Sequence, residues 1–114
     1  MLTELVEITL DVMIAGRYAS FMIHSFADRD SERIFNREHS RRLPQGIQRT
    51  PMRKLWMIHA APDLNALRIP PGNRLESLLG DRLGQHSVRI NDQWRICFRW
   101  HDGSAYDVEI VDCH

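Results

Sequence analysis

From Asn73 to the last residue the chain is a series of short alternating runs separated by turn residues, and this pattern limits the fold more than any other feature. Residues 74–79, 86–90, 94–100 and 106–112 alternate apolar with polar side chains, the two-residue period of strands with one wet face. Between them stand residues 80–84 with Gly at both ends, the pair Asn91-Asp92, and Asp102-Gly103, residue types that accept the backbone of tight turns. Such a series predicts an antiparallel meander. Ahead of it, residues 27–38 lack Pro and Gly, set Ile34 and Phe35 among charged neighbours, and offer Asp28 or Asp30 as a cap, so a short helix is expected. A second helix is expected over residues 47–61, where Met52, Leu55, Trp56, Ile58 and His59 fall at helical spacing and Pro51 lies near the start. Pro62 and Pro70-Pro71-Gly72 bound an irregular stretch. Helices followed by hairpins place the chain in the α+β class, with two N-terminal helices packed on a mainly antiparallel twisted sheet.

At 114 residues there is room for one domain with one modest core. That domain is expected over residues 22–114, opening with a short strand from Met22 to Phe26. Residues 1–21 form an N-terminal extension. Val6, Ile8, Leu10 and Val12 alternate there with polar residues, which fits an added edge strand, while the fresh start at Met22 fits a leader read from an upstream start codon.

Net charge is zero, yet it is unevenly spread. Residues 1–21 carry −2, whereas from Arg41 to Arg99 eleven cationic residues, ten of them Arg, face Asp63, Glu76, Asp81 and Asp92, a net +7. A clustered basic surface attracts polyanions, and guanidinium forks match phosphate better than ammonium does. A solvated charged face would give the same count. Cys97 and Cys113 sit in apolar stretches without CxxC spacing and are expected to be reduced. No run reaches the length of a membrane span and the N-terminal flank is acidic, so neither a membrane anchor nor a secretory signal is indicated, and a cytoplasmic location is expected. The six histidines show no HxxxH spacing and no Cys neighbours, which argues against zinc. No nucleophile elbow, phosphate loop or dinucleotide fingerprint occurs, and no cofactor is implied.

What remains is Arg74, Arg82, Arg89 and Arg95 spread over adjacent strands and turns, with Glu76 and the closing Asp112-Cys113-His114. Metal-independent RNA cleavage needs these group types: a base for the 2′-hydroxyl, a cation for the charge gathering on phosphorus, and an acid for the departing 5′-oxygen. Charged residues alternating with Leu and Ile also describe the wet face of an ordinary sheet, and pattern alone leaves both readings open. Trp56, Trp94 and Trp100 are better read as packing residues than as base-stacking platforms.

Three blocks carry a resemblance. Pro71-Gly72-Asn73-Arg74-Leu75-Glu76, the stretch from Gly80-Asp81-Arg82-Leu83-Gly84 through Trp94-Arg95-Ile96-Cys97-Phe98, and the close Val108-Glu109-Ile110-Val111-Asp112-Cys113-His114 resemble, in order and spacing, the HigB (plasmid maintenance killer) family of the RelE/ParE toxin superfamily. The resemblance covers residues 22–114. It implies the RelE-like fold, a toxin of a type II toxin-antitoxin system that cleaves messenger RNA on the ribosome, and a helix-turn-helix antitoxin of the HigA type that also represses the operon. Operator DNA would then be met only through the antitoxin. Arg95 matches the Arg that contacts the scissile phosphate, and Asp112 and His114 match the C-terminal Asp-Tyr-His signature. Glu76 stands where some members carry a catalytic His, as base or as a group orienting an Arg. Arg74, Arg82 and Arg89 are the expected phosphate binders. Cys113 departs from the usual Tyr, and a thiol cannot stack on a base. Two other readings follow from the same resemblance: a ParE-like inhibitor of DNA gyrase, which has no need of a terminal imidazole, and a weakened toxin serving as corepressor.

Overall fold

A computed structural model describes residues 22–113; the expectations placed on residues 1–21 and on His114 lie outside it. Helix α1 spans Arg29–Phe35 and helix α2 Arg49–Ala60. Asp28 caps α1, its carboxylate accepting the Ser31 N–H at 2.7 Å. Asp30 and Glu32 in the first turn and Arg33 in the last suit the helix dipole. Pro51 falls within the first turn of α2, where its missing N–H leaves no bond unmade. The helix buries Pro51, Lys54, Leu55 and Ile58, one stripe at helical spacing. It ends where Ala61 turns extended ahead of Pro62. The stretch expected to be irregular contains a 3-10 helix at Leu64–Arg68, capped by Asp63 and inserting Leu67 into the core.

Four strands follow, β1 Glu76–Ser77, β2 His86–Arg89, β3 Trp94–His101 and β4 Ser104–Asp112, joined in sequence order as an antiparallel sheet. Strand β1 is shorter than the alternation over residues 74–79 predicts. Arg74 has a left-handed backbone (φ 45°) after the Pro71–Asn73 turn, and a second 3-10 turn begins at Gly80, so only two residues stay in the ladder. Residues 22–27 run parallel to β4, with His24 and Ala27 N–H groups donating to the carbonyls of Ala105 and Val108. Farther along that edge the Ile110 N–H donates to Ser31 Oγ at 2.9 Å, and Arg42 donates to the Ile110 carbonyl. The outer edge of β4 is thus covered rather than open.

Strand β4 carries a bulge opposite β3: the register passes from Cys97↔Glu109 to Arg99↔Tyr106, and Asp107 takes a positive φ of 53°. The extra residue lets both Ala105 and Val108 face the helices. One layer of core results, with Ile34, Leu55, Ile58 and Leu67 against Val88, Ile96, Phe98, Val108 and Ile110, each no more than 2% exposed. Cutting Phe98 to Ala would cost about 3–5 kcal/mol, because a close-packed layer cannot refill so large a void.

Candidate functional site

Strand parity decides which side chains leave the core. Trp94, Ile96 and Phe98 of β3 are buried under the helices, so Arg95 and Cys97 lie on the opposite face. Register then sets Arg89 beside Arg95 and Ser87 beside Cys97, with Glu76 next to Ser87. Arg95, Arg89 and Glu76 form the floor of a polar cleft of about 600 Å³, whose walls come from Gly72 and Arg74 on one side and Asn91, Asp92 and Cys113 on the other.

Arg95 is the most constrained cation there, its side chain 16% exposed. Its Nε donates to the buried Ser87 hydroxyl at 2.8 Å, its Nη2 donates to the Arg74 carbonyl at 2.8 Å, and Glu76 Oε1 lies 3.7 Å from Nη2. Among the described residues Nη1 has no hydrogen-bond partner. The fork is therefore aimed by the protein and still able to hold an anion. Arg89 is paired with a fully exposed Asp92 at 2.5 Å, a contact water and salt weaken enough for a phosphate to compete. Arg74 brings its cation on a left-handed residue at the rim.

Of the residues the sequence singled out, Arg74, Glu76, Arg89 and Arg95 come together. Arg82 does not join them: at the tip of the β1–β2 hairpin it donates to Gln85 Oε1 at 3.0 Å and Glu109 Oε1 at 3.2 Å. Asp112 pairs with Trp94 across the sheet and accepts from Gln93 Nε2 at 3.1 Å, while its neighbour Cys113 lines the cleft, its N–H donating to the Gln93 carbonyl. Sequence reasoning missed three residues: Ser87, which orients Arg95, and the buried pair Lys54 and Asn73 beneath the cleft. Lys54 was detectable, since a lysine within the apolar stripe 51-54-55-58 asks for a partner. Burial first, then the charges of Arg53, Arg89 and Arg95, lower its pKa below the ordinary lysine value. Among the described residues no three His, Cys, Asp or Glu gather as a metal-ligand set. A second depression, about 320 Å³ between the helices, has Ile34, Met52, Arg37 and Arg49 in its lining and none of the residues the sequence singled out for the site.

An α+β domain presenting an anchored arginine cluster on one face of its sheet is consistent with a small RelE-like toxin. Residues 24–114 match the family described as the RelE-like toxin of type II toxin-antitoxin system HigB, and the chain belongs to that family. It is 41% identical over 85 residues to Toxin HigB-1 of Vibrio cholerae serotype O1, covering 74% of this chain and 90% of that protein. It is also 36% identical over 67 residues to an uncharacterized protein of Haemophilus influenzae, covering 59% of this chain and 65% of that one. A toxin of a type II system has an antitoxin as its partner. No helix among the described residues is long and apolar enough to cross a membrane.

Proposed function

We propose that this toxin is a metal-independent endoribonuclease that cleaves messenger RNA on the ribosome, and that a helix-turn-helix antitoxin of the HigA type holds it in check. The observation that carries the reading is Arg95, fixed by Ser87 and the Arg74 carbonyl with one end of its guanidinium uncommitted in a cleft shared with Arg74, Arg89 and Glu76. In this reading Glu76 takes the proton of the 2′-hydroxyl, the 2′-oxygen attacks the adjacent phosphorus, and Arg95 with Arg74 and Arg89 holds the charge of the phosphorane. His114 protonates the departing 5′-oxygen, leaving a 2′,3′-cyclic phosphate and a 5′-hydroxyl. Asp112 serves the terminal imidazole as a neighbouring charge, and Arg82 takes flanking phosphates outside the cleft. Residues 22–114 form the toxin domain, with residues 1–21 a dispensable extension.

The test is expression of the toxin, with and without its antitoxin, in cells and in translation extracts, mapping the ends of the message. Cuts that vanish in Arg95→Ala and require ribosomes support the reading. Intact messages with inhibited DNA supercoiling would move the chain to the gyrase-binding branch, and a chain that begins at Met22 and loses toxicity would make the extension part of the working protein.

A further inference from the structure

Strand β1 stops short, and what replaces it is a lysine. Continuing the Glu76↔Ser87 register would set Arg74 opposite Arg89, but the chain turns away at Arg74 with its φ of 45°. The Ile90 N–H donates to the Trp94 carbonyl, so by alternation the Arg89 carbonyl faces away from β3 toward the place β1 has left. Lys54 of α2 fills it. Its ammonium, on a residue 7% exposed, donates to the Arg89 carbonyl at 2.7 Å and to Asn73 Oδ1 at 2.9 Å. Asn73 is fully buried, and its amide nitrogen donates to the Leu67 carbonyl at 3.1 Å.

We propose that Lys54 is a positioning residue for the cleft: one buried ammonium ties the turn carrying Arg74 to the end of β2 carrying Arg89, and so sets how the arginines on the two banks face a phosphate. The proposal rests on the reading of the cleft as the site of RNA cleavage. The chain of contacts is short. Lys54 holds Asn73, the next residue is Arg74, and the Arg74 carbonyl accepts from Arg95 at 2.8 Å. Displacing that carbonyl by a fraction of an ångström turns the Arg95 fork, and misplacement on the order of 1 Å costs about 10²-fold in rate at a catalytic group. An apolar residue would serve the core as well as Lys54 does, yet it would leave Asn73 Oδ1 and the Arg89 carbonyl without their donor. The buried charge also adds to the field of the cleft, where water screens it less than it screens the rim arginines.

The test compares wild type with Lys54→Met in three measurements on the whole toxin. In cleavage assays kcat should fall about 10- to 100-fold, with KM changing less. In NMR spectra the Arg95 Nε–H signal should shift or broaden while the methyl signals of Ile96 and Val108 stay in place. In the wild-type protein the Lys54 ammonium signal should move when a short oligoribonucleotide, 2′-O-methylated throughout to prevent cleavage, is added. A folded Lys54→Met toxin with wild-type kcat and an unchanged Arg95 signal overturns the proposal. If wild type cuts no RNA, the nuclease reading fails and the Arg95 signal alone decides for or against Lys54. If the variant does not fold, the wild-type titration decides: an unmoved Lys54 signal overturns the proposal, and a shift supports it.

Discussion

The guanidinium of Arg95 donates to the main-chain carbonyl of Arg74 at 2.8 Å, so the cation on the floor of the cleft and the backbone of its rim hold each other in place. Replacing Arg95 therefore has two separable effects. Arg95→Ala removes a bond to the Ser87 hydroxyl and one to a carbonyl that water can still reach, and unfolding experiments should show a loss of about 1–2 kcal/mol. Cleavage should fall by about 10²–10³-fold, as expected when one donor that stabilises developing charge is lost. Wild-type growth arrest by a stably folded Arg95→Ala toxin would exclude Arg95 from the chemistry.

Arg74 offers a cleaner separation of charge from fold. Its φ of 45° is unfavourable for a side-chain-bearing residue and natural for glycine. In Arg74→Gly, relief of that strain, about 1 kcal/mol, offsets the greater freedom of glycine in the unfolded chain, so the melting temperature should change little. The carbonyl that holds Arg95 remains. The cation is gone, and binding of single-stranded RNA should weaken at low salt with a slope of log K on log salt shallower by about 0.7. An unchanged slope would show that Arg74 contacts no phosphate.

These two residues also mark where the sequence could be read and where it could not. Alternation in 94–100 correctly set Arg95 on the face opposite Trp94 and Ile96, because strand parity is a local property. Parity fails at Asp107, where the bulge adds a residue and brings Ala105 and Val108 to the same side. It also says nothing about where a hairpin tip folds back, which is why the pattern groups Arg82 with Arg74, Arg89 and Arg95 while in the structure it pairs with Glu109 outside the cleft. The end of β1 depends on the left-handed Arg74 and on Lys54 arriving from a helix twenty residues earlier in the chain, a tertiary relation that no two- or four-residue period encodes.

His59 makes a pH prediction outside the cleft. Its Nδ1 accepts the Ile23 N–H at 3.1 Å, fastening the segment that runs beside β4, and only a neutral imidazole can accept there. Burial first, then the nearby His24, lower its pKa from the ordinary 6.5. The unfolded chain then binds the proton more readily than the folded one. The stabilisation from this site is intact above about pH 6.5 and declines as pH falls toward the lower folded value, by at most about 1.4 kcal/mol per pH unit. His59→Gln, whose carbonyl can accept the same bond without titrating, should flatten that part of the profile of melting temperature between pH 7.5 and 5. Parallel profiles for the two proteins would show that His59 does not carry the dependence.

The last prediction concerns residues 113 and 114 together. Cys113 is exposed and lines the cleft, held there by its N–H donating to the Gln93 carbonyl. If His114 is the general acid, deleting it should lower the cleavage rate by about 10²-fold or more. The fold should survive, since the last strand ends at Asp112 and the residues of the hydrophobic core all precede it. Cys113→Tyr supplies an aromatic ring and a phenol at the cleft wall, where a ring can stack on a base for about 1–3 kcal/mol. That variant should bind RNA more tightly and cleave at least as fast as wild type, because the backbone bond that places residue 113 is unaffected by its side chain. Doing both at once distinguishes positioning from proton transfer: Cys113→Tyr in the His114-deleted toxin should restore binding but not rate. Recovery of rate in that double variant would assign the proton donor to the phenol, and full cleavage by the deletion alone would remove the imidazole from the mechanism.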